Sequence, residues 1–155
     1  MNMSADTRNY VLDISTDLFQ LSTESLRLHS NETHKYETLE SLIDCRAGSS
    51  SFKNEHKPDT LRKHLCAVPT AGQVRIQLNI LTTSAASLDE ACASLSQRLG
   101  SAMTVGDVLS VMLFDYVAEK KASQILNRIG LKEIVQSGDN RPASECASEN
   151  VIPFR

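Results

Sequence analysis

Three polar side chains that are well suited to reading DNA lie at alternate positions of the short segment 74–80. They are Arg75, Gln77 and Asn79, and apolar residues separate them. An Arg guanidinium donates two parallel hydrogen bonds to O6 and N7 of guanine, and the amide of Gln or Asn both donates to and accepts from adenine. The sequence therefore contains a candidate surface for recognising base edges.

The alternation in this segment predicts a β-strand, because successive side chains of a strand point to opposite faces. The face opposite the polar trio is apolar and consists of Val74, Ile76, Leu78 and Ile80. A lone strand leaves its backbone groups unpaired, so it requires a partner strand. That partner is either the same strand of a second copy or another strand of this chain. Either pairing gives a two-stranded antiparallel ribbon, which fits the major groove.

Two helices are predicted to follow this strand. The first runs from about Ser84 to Leu99 and ends at Gly100, the usual residue type just beyond a helix. The second starts at Thr104, with Asp107 three residues later as a capping-box partner, and runs to about Ala122 or on to Gly130. Its predicted buried face consists of Val105, Val108, Leu109, Met112, Leu113 and Tyr116.

The order strand, helix, Gly-containing turn, helix resembles the ribbon-helix-helix superfamily of small bacterial, plasmid and phage regulators of the Arc, MetJ and CopG type. The resemblance covers residues 74 to about 121 and implies base contacts by Arg75, Gln77 and Asn79. It also implies a phosphate contact at the start of the second helix, within Ser101, Thr104 and Val105, where amides and the helix dipole favour an anion. Two features depart from the pattern: the connection between strand and second helix is longer than usual, and Asp107 places a negative charge near the phosphate.

A similar order of elements is predicted for residues 10–44. A strand at 10–14 precedes a helix capped by Ser15 or Thr16, and a second helix is predicted to begin at Asn31 or Thr33. This strand directs Val11 and Asp13 outward, and Asp13 is poorly suited to DNA. The fold expected is mainly α with short β, a ribbon-helix-helix either as a homodimer or as an intramolecular tandem.

Four segments are expected. They are an acidic strand-helix-helix unit at 1–46, a basic flexible linker at 47–72, the DNA-binding unit at 73–131, and a disordered tail at 132–155. Residues 1–45 contain eight acidic residues and three Lys or Arg, whereas residues 46–80 contain six Lys or Arg and two acidic residues. The net charge of −3 does not favour indiscriminate nucleic-acid binding, but a basic segment leads into the strand.

The remaining features argue against several classes of protein. The four cysteines are scattered, without the close spacing typical of a zinc site, and no cofactor or metal is expected. We find no apolar run long enough for a membrane span, no signal-peptide pattern and no catalytic motif. We therefore expect a cytoplasmic, non-enzymatic protein without a membrane partner.

Two alternatives remain from the sequence. Arg75, Gln77 and Asn79 can be the solvated face of an ordinary amphipathic strand. The chain can also be a protein-interaction module, such as an antitoxin or a plasmid-transfer accessory protein, whose acidic segment 1–46 or tail 132–155 binds a partner protein. Otherwise the predicted partner is double-stranded DNA, and the predicted role is that of a sequence-specific transcriptional repressor.

Overall fold

The two predicted strands pair with each other in the computed structural model, which describes residues 4–48 and 57–130. Strand β1 spans Thr7–Ile14 and β2 spans Val74–Leu81, and they form a two-stranded antiparallel sheet. The described helices are α1 (Thr16–Thr33), α2 (Leu39–Ala47), α3 (Pro58–Ala67), α4 (Thr82–Leu99) and α5 (Val105–Arg128). The expectation of a mainly helical fold with short β structure is confirmed at this level.

The order strand, helix, helix occurs twice along the chain with the same spacing. Helices α1 and α4 both have 18 residues and begin at Thr16 and Thr82. Helices α2 and α5 begin at Leu39 and Val105. The separation in sequence from Thr16 to Thr82 equals that from Leu39 to Val105, and we call it the repeat offset. The turns between the helices therefore have the same length in both halves of the chain.

The turns also share their hydrogen bonds. Both α1 and α4 end in a left-handed residue, His34 with φ 60° and Gly100 with φ 70°. Each of these residues donates its amide to the carbonyl of a serine four positions earlier, Ser30 or Ser96. The hydroxyl of that serine accepts an amide from the turn, that of Glu37 in the first half and that of Met103 in the second.

The predicted start of the second helix at Asn31 or Thr33 is wrong, because α2 begins only at Leu39. Both of those residues belong to α1, and the cap of α2 is Thr38, which forms a capping box with Ser41. The reason is that α1 continues until His34 adopts the left-handed conformation. Tyr36, which a helix starting at Asn31 or Thr33 would contain, lies between α1 and α2 and is fully exposed.

The segment expected to be a linker contains a helix in its described part. Helix α3 begins with Pro58 at its first turn, where proline is well tolerated, and buries Leu61 in the core. Arg62 Nη2 donates a hydrogen bond of 3.1 Å to the carbonyl of Leu99 at the end of α4, and His64 Nε2 lies 2.8 Å from Ser110 Oγ on α5. These tertiary contacts stabilise a helix within a segment that was expected to be a flexible linker. Residues 49–56 of the expected linker lie outside the described residues.

Apolar side chains of the strands and of all five helices form the core of the described part. In α4 and α5 this core contains Leu88, Ala91, Leu95, Val108 and Met112, all with no exposed surface. The equivalent face of α1 is more polar, because Ser22, Ser25 and His29 are buried there. His29 is only 9% exposed, although histidines are found on protein surfaces more often than in cores. The described residues up to Glu119 form one compact unit.

The last turns of α5, from Lys120, belong to a second unit, of which residues 120–130 are described. Helix α5 is continuous to Arg128, so the second of the two predicted end points is the better one. The predicted disordered tail, 132–155, lies outside the described residues. No helix of the described ranges has the length and apolar character needed to cross a bilayer.

A tight junction holds the end of β1 against the segment that leads into β2. The Ser15 amide donates to the Thr70 carbonyl (3.0 Å), and the Gly72 amide donates to the Asp13 carbonyl (3.3 Å). A Cβ atom on residue 72 would lie 2.4 Å from Ser15 Cα, so only glycine allows this close approach. The junction fixes the position of the two strands relative to each other at this end.

Candidate nucleic-acid interface

Inside the terminal pair Thr7 and Leu81, the outward surface of the two strands carries six exposed side chains, here called the ribbon face: Asn9, Val11, Asp13, Arg75, Gln77 and Asn79. The inner surface is held by Ile14, Leu78 and Ile80, each at most 2% exposed. Because strand side chains alternate, burial of this inner set directs the ribbon face away from the core. All three residues predicted to read bases are therefore exposed together on one surface.

Strand pairing arranges the ribbon face as three cross-strand pairs. Asn9 lies opposite Asn79, Val11 opposite Gln77, and Asp13 opposite Arg75. When the repeat offset is applied, Asn9 corresponds to Arg75 and Asp13 to Asn79, so the first and third pairs occupy equivalent positions. The central pair is equivalent to itself, because Val11 corresponds to Gln77. The register therefore has the symmetry that two identical strands would have about a two-fold axis through the centre of the ribbon.

Asn9 was missed by sequence analysis, which began the first strand at Tyr10. The strand begins at Thr7, so Asn9 is its third residue and shares a face with Val11 and Asp13. The alternation extends back to Asn9 and was a usable signal. Strand pairing alone shows that Asn9 faces Asn79.

Arg75 is held by a carboxylate on the neighbouring strand. Its Nε donates to Asp13 Oδ1 at 2.9 Å, and its Nη2 donates to Asp13 Oδ2 at 3.2 Å. This bond lowers the pKa of the Asp13 carboxyl below its ordinary value and raises the pKa of the Arg75 guanidinium. Both groups are thus charged at neutral pH, and Asp13 orients Arg75 while cancelling its charge.

The contact with Asp13 uses only one edge of the guanidinium. The other edge, formed by Nη1 and the second hydrogen of Nη2, makes no hydrogen bond to the described residues. The side-chain amides of Asn9, Gln77 and Asn79 likewise have no hydrogen-bond partner among residues 4–48 and 57–130. Donors and acceptors suited to base edges are thus available along the ribbon face.

The predicted phosphate-binding residues lie at the start of α5, as expected from the sequence. Ser101 and Thr104 are exposed, and Val105 is the first residue of the helix. The capping box predicted between Thr104 and Asp107 is present: the Thr104 amide donates to Asp107 Oδ2 (3.0 Å) and the Asp107 amide donates to Thr104 Oγ1 (3.2 Å).

Asp107 limits what this helix start can do with an anion. Its carboxylate occupies the Thr104 amide and also accepts a hydrogen bond of 2.5 Å from Thr70 Oγ1. The Met103 amide is used by Ser96 Oγ. Three amides at this helix start, those of Met103, Thr104 and Asp107, are thus already used, and the nearby Asp107 carboxylate disfavours an anion.

The start of α2, the equivalent position in the first half, is also acidic. Glu37 precedes its cap, and Ser41 Oγ donates to the Glu37 carboxylate at 2.7 Å. That hydrogen bond is the largest cause that lowers the pKa of Glu37. The ribbon face is therefore the better candidate for recognition, since both helix starts carry a carboxylate.

No group of three or more His, Cys, Asp or Glu side chains in the described ranges is arranged to hold a metal ion. Comparison with family models, with curated proteins and with solved structures finds no match to this chain. Its function is therefore inferred from the residues of the ribbon face and their contacts.

Proposed function

We propose that this protein binds duplex DNA as a single-chain tandem ribbon-helix-helix regulator and inserts the ribbon face into the major groove. The observation that supports this most directly is the register of β1 and β2, which brings Arg75, Gln77 and Asn79 onto one exposed surface with Asn9. A two-stranded ribbon has the width of the major groove, and these residue types match base edges there.

The repeated strand, helix and helix support a tandem arrangement rather than a homodimer. Each half has the same spacing of helix starts and the same turn, so the first half supplies the strand that a second copy supplies in a homodimer. Binding of one chain per ribbon follows from this arrangement. Repression would then result from occupancy of a promoter or operator, in the cytoplasm.

The charge distribution bears on how tightly such a protein binds. The Asp13–Arg75 pair contributes no net charge, and the exposed Arg8 is paired with Asp89 at 2.8 Å. Phosphate neutralisation supplies most non-specific affinity and its salt dependence. We therefore expect weak non-specific binding and a shallow dependence of affinity on salt, with specificity carried by base contacts.

The test is fluorescence anisotropy of the full chain against labelled duplexes enriched from a random library, at two salt concentrations. A variant with Arg75→Ala, Gln77→Ala and Asn79→Ala is expected to lose the preference for the enriched duplex. The matched control changes exposed residues of α1 with the same loss of charge, Gln20→Ala, Thr23→Ala and Arg27→Ala, and should bind as wild type does. Equal binding by the ribbon variant and the wild type would show that the ribbon face reads no bases.

A further inference from the structure

The two ends of the ribbon are equivalent in geometry but different in chemistry. The repeat offset relates Asn9 to Arg75 and Asp13 to Asn79. One end of the ribbon therefore carries a charged Asp–Arg pair, and the other carries two neutral amides. A homodimer cannot have this difference, because its two-fold axis makes both ends identical.

On the basis that the ribbon face binds DNA as proposed above, we propose that it recognises an asymmetric duplex site in one orientation. A G·C pair lies under the Asp13–Arg75 end and an A·T pair lies under the Asn9–Asn79 end. The register and the contacts of these four side chains determine the difference.

The charged end matches guanine. Asp13 accepts hydrogen bonds from Arg75 Nε and Nη2. The terminal edge of the guanidinium, formed by Nη1 and Nη2, therefore faces away from Asp13 and is available to donate. That edge presents two parallel donors, the pattern that O6 and N7 of guanine accept. Asp13 is itself an acceptor, so it disfavours thymine O4 nearby and tolerates the N4 amino group of cytosine. Both residues of this pair thus favour G·C.

The amide end matches adenine. Asn9 and Asn79 are exposed and have no hydrogen-bond partner among the described residues, so each amide retains a donor and an acceptor. Adenine presents an acceptor at N7 and a donor at N6, which one amide satisfies together. The Asn9–Asn79 pair carries no charge, so a guanine at this end binds less favourably than a guanine at the Arg75 end.

The central pair is also asymmetric. Val11 is 55% exposed and offers only apolar contact, whereas Gln77 opposite it offers an amide. An apolar side chain in the major groove contacts the thymine methyl group, and Gln pairs with adenine. The centre of the site therefore distinguishes the two DNA strands as well.

The experiment is selection from a randomised duplex library with the full chain, followed by sequencing and by affinity measurement of the consensus and of its single-base variants. The wild type is expected to select a non-palindromic site with G·C at one end and A·T at the other. Exchange of the critical base at either end should lower affinity by roughly 5- to 150-fold.

Two double variants make the two ends of the ribbon equivalent and leave the central Val11–Gln77 pair unchanged. Asn9→Arg with Asn79→Asp places an Asp–Arg pair at both ends and should convert the selected site to one with G·C at each end, its outer positions related as in a palindrome. Asp13→Asn with Arg75→Asn should give A·T at each end. The control Glu24→Asn with Arg27→Asn removes an exposed ion pair of α1 and should retain the wild-type consensus.

The outcomes separate this inference from the proposed function. Selection of a palindrome by the wild type, or an unchanged consensus in both symmetric variants, overturns asymmetric recognition while DNA recognition stands. Failure of the wild type to enrich any sequence overturns the proposed function itself. The wild-type consensus tests the inference even if a variant does not fold, which circular dichroism will show.

Discussion

Substitution of Gly72 by alanine tests whether the junction between β1 and β2 holds the ribbon in place. The added Cβ would lie 2.4 Å from Ser15 Cα and 2.6 Å from the Ile14 carbonyl oxygen. Carbon atoms in contact are normally about 3.5–4.0 Å apart. Both neighbours are backbone atoms, so the two segments must separate by roughly 1 Å to restore that contact distance.

This separation breaks the two backbone hydrogen bonds of the junction, Ser15 to Thr70 and Gly72 to Asp13. Each bond contributes about 0.5–1.5 kcal/mol net, and the residual overpacking costs about 1 kcal/mol or more. The lower entropy of the unfolded alanine chain adds to the free energy of unfolding only about 0.4–1 kcal/mol. We therefore expect Gly72→Ala to lower the free energy of unfolding by about 1–3.5 kcal/mol.

The assay is urea unfolding followed by circular dichroism, together with the thermal midpoint. For a chain of this length, the expected loss corresponds to a midpoint lower by roughly 2–14 °C. Gly48→Ala is the matched control, because a Cβ there meets nothing within 4 Å and its φ of −72° suits alanine. It should be neutral or stabilising by up to ~1 kcal/mol. If both variants unfold within ~0.5 kcal/mol of wild type, the close approach at Gly72 is refuted.

Three further predictions follow from the core, the pH dependence and the start of α5. Leu95→Ala, at a position with no exposed surface, should cost about 2–5 kcal/mol in chemical denaturation, whereas Leu126→Ala, 37% exposed, should cost far less; equal losses would contradict the burial. Burial, and then the nearby Glu32 carboxylate, raises the pKa of Tyr116 from 10.0 to about 12. The folded state therefore holds this proton more tightly than the unfolded state, and the free energy of unfolding should fall as pH rises from 10 to 12. Tyr116→Phe should remove that loss and a phenolate absorbance step near pH 12; an unchanged absorbance titration would refute the assignment. Asp107→Asn keeps an acceptor for the Thr104 amide but removes the negative charge. If a DNA phosphate approaches the start of α5, this variant should raise DNA affinity about 2- to 5-fold at low salt. Unchanged affinity would place the phosphates elsewhere.

Arg75 shows why a residue predicted from the sequence still needed the structure. Its outward direction follows from the alternation of 74–80 alone, since the side-chain period of a strand is two. Its hydrogen bonds with Asp13 depend on a residue 62 positions away. The same carboxylate that sequence analysis counted against DNA binding is the group that orients Arg75.

Local signals in the chain by themselves determined β2, the capping box of Thr104 and Asp107, the end of α4 at Gly100 and the buried face of α5. Each of these depends on residues within a few positions of one another, so short-range periodicity and capping chemistry are sufficient. The sequence left open which strand pairs with β2. Helix α3, the late start of α2 and the place of Asn9 were decided only by tertiary structure. These features depend on contacts between distant segments, whose energies are set by packing and by the register of the two strands, and no local pattern encodes them.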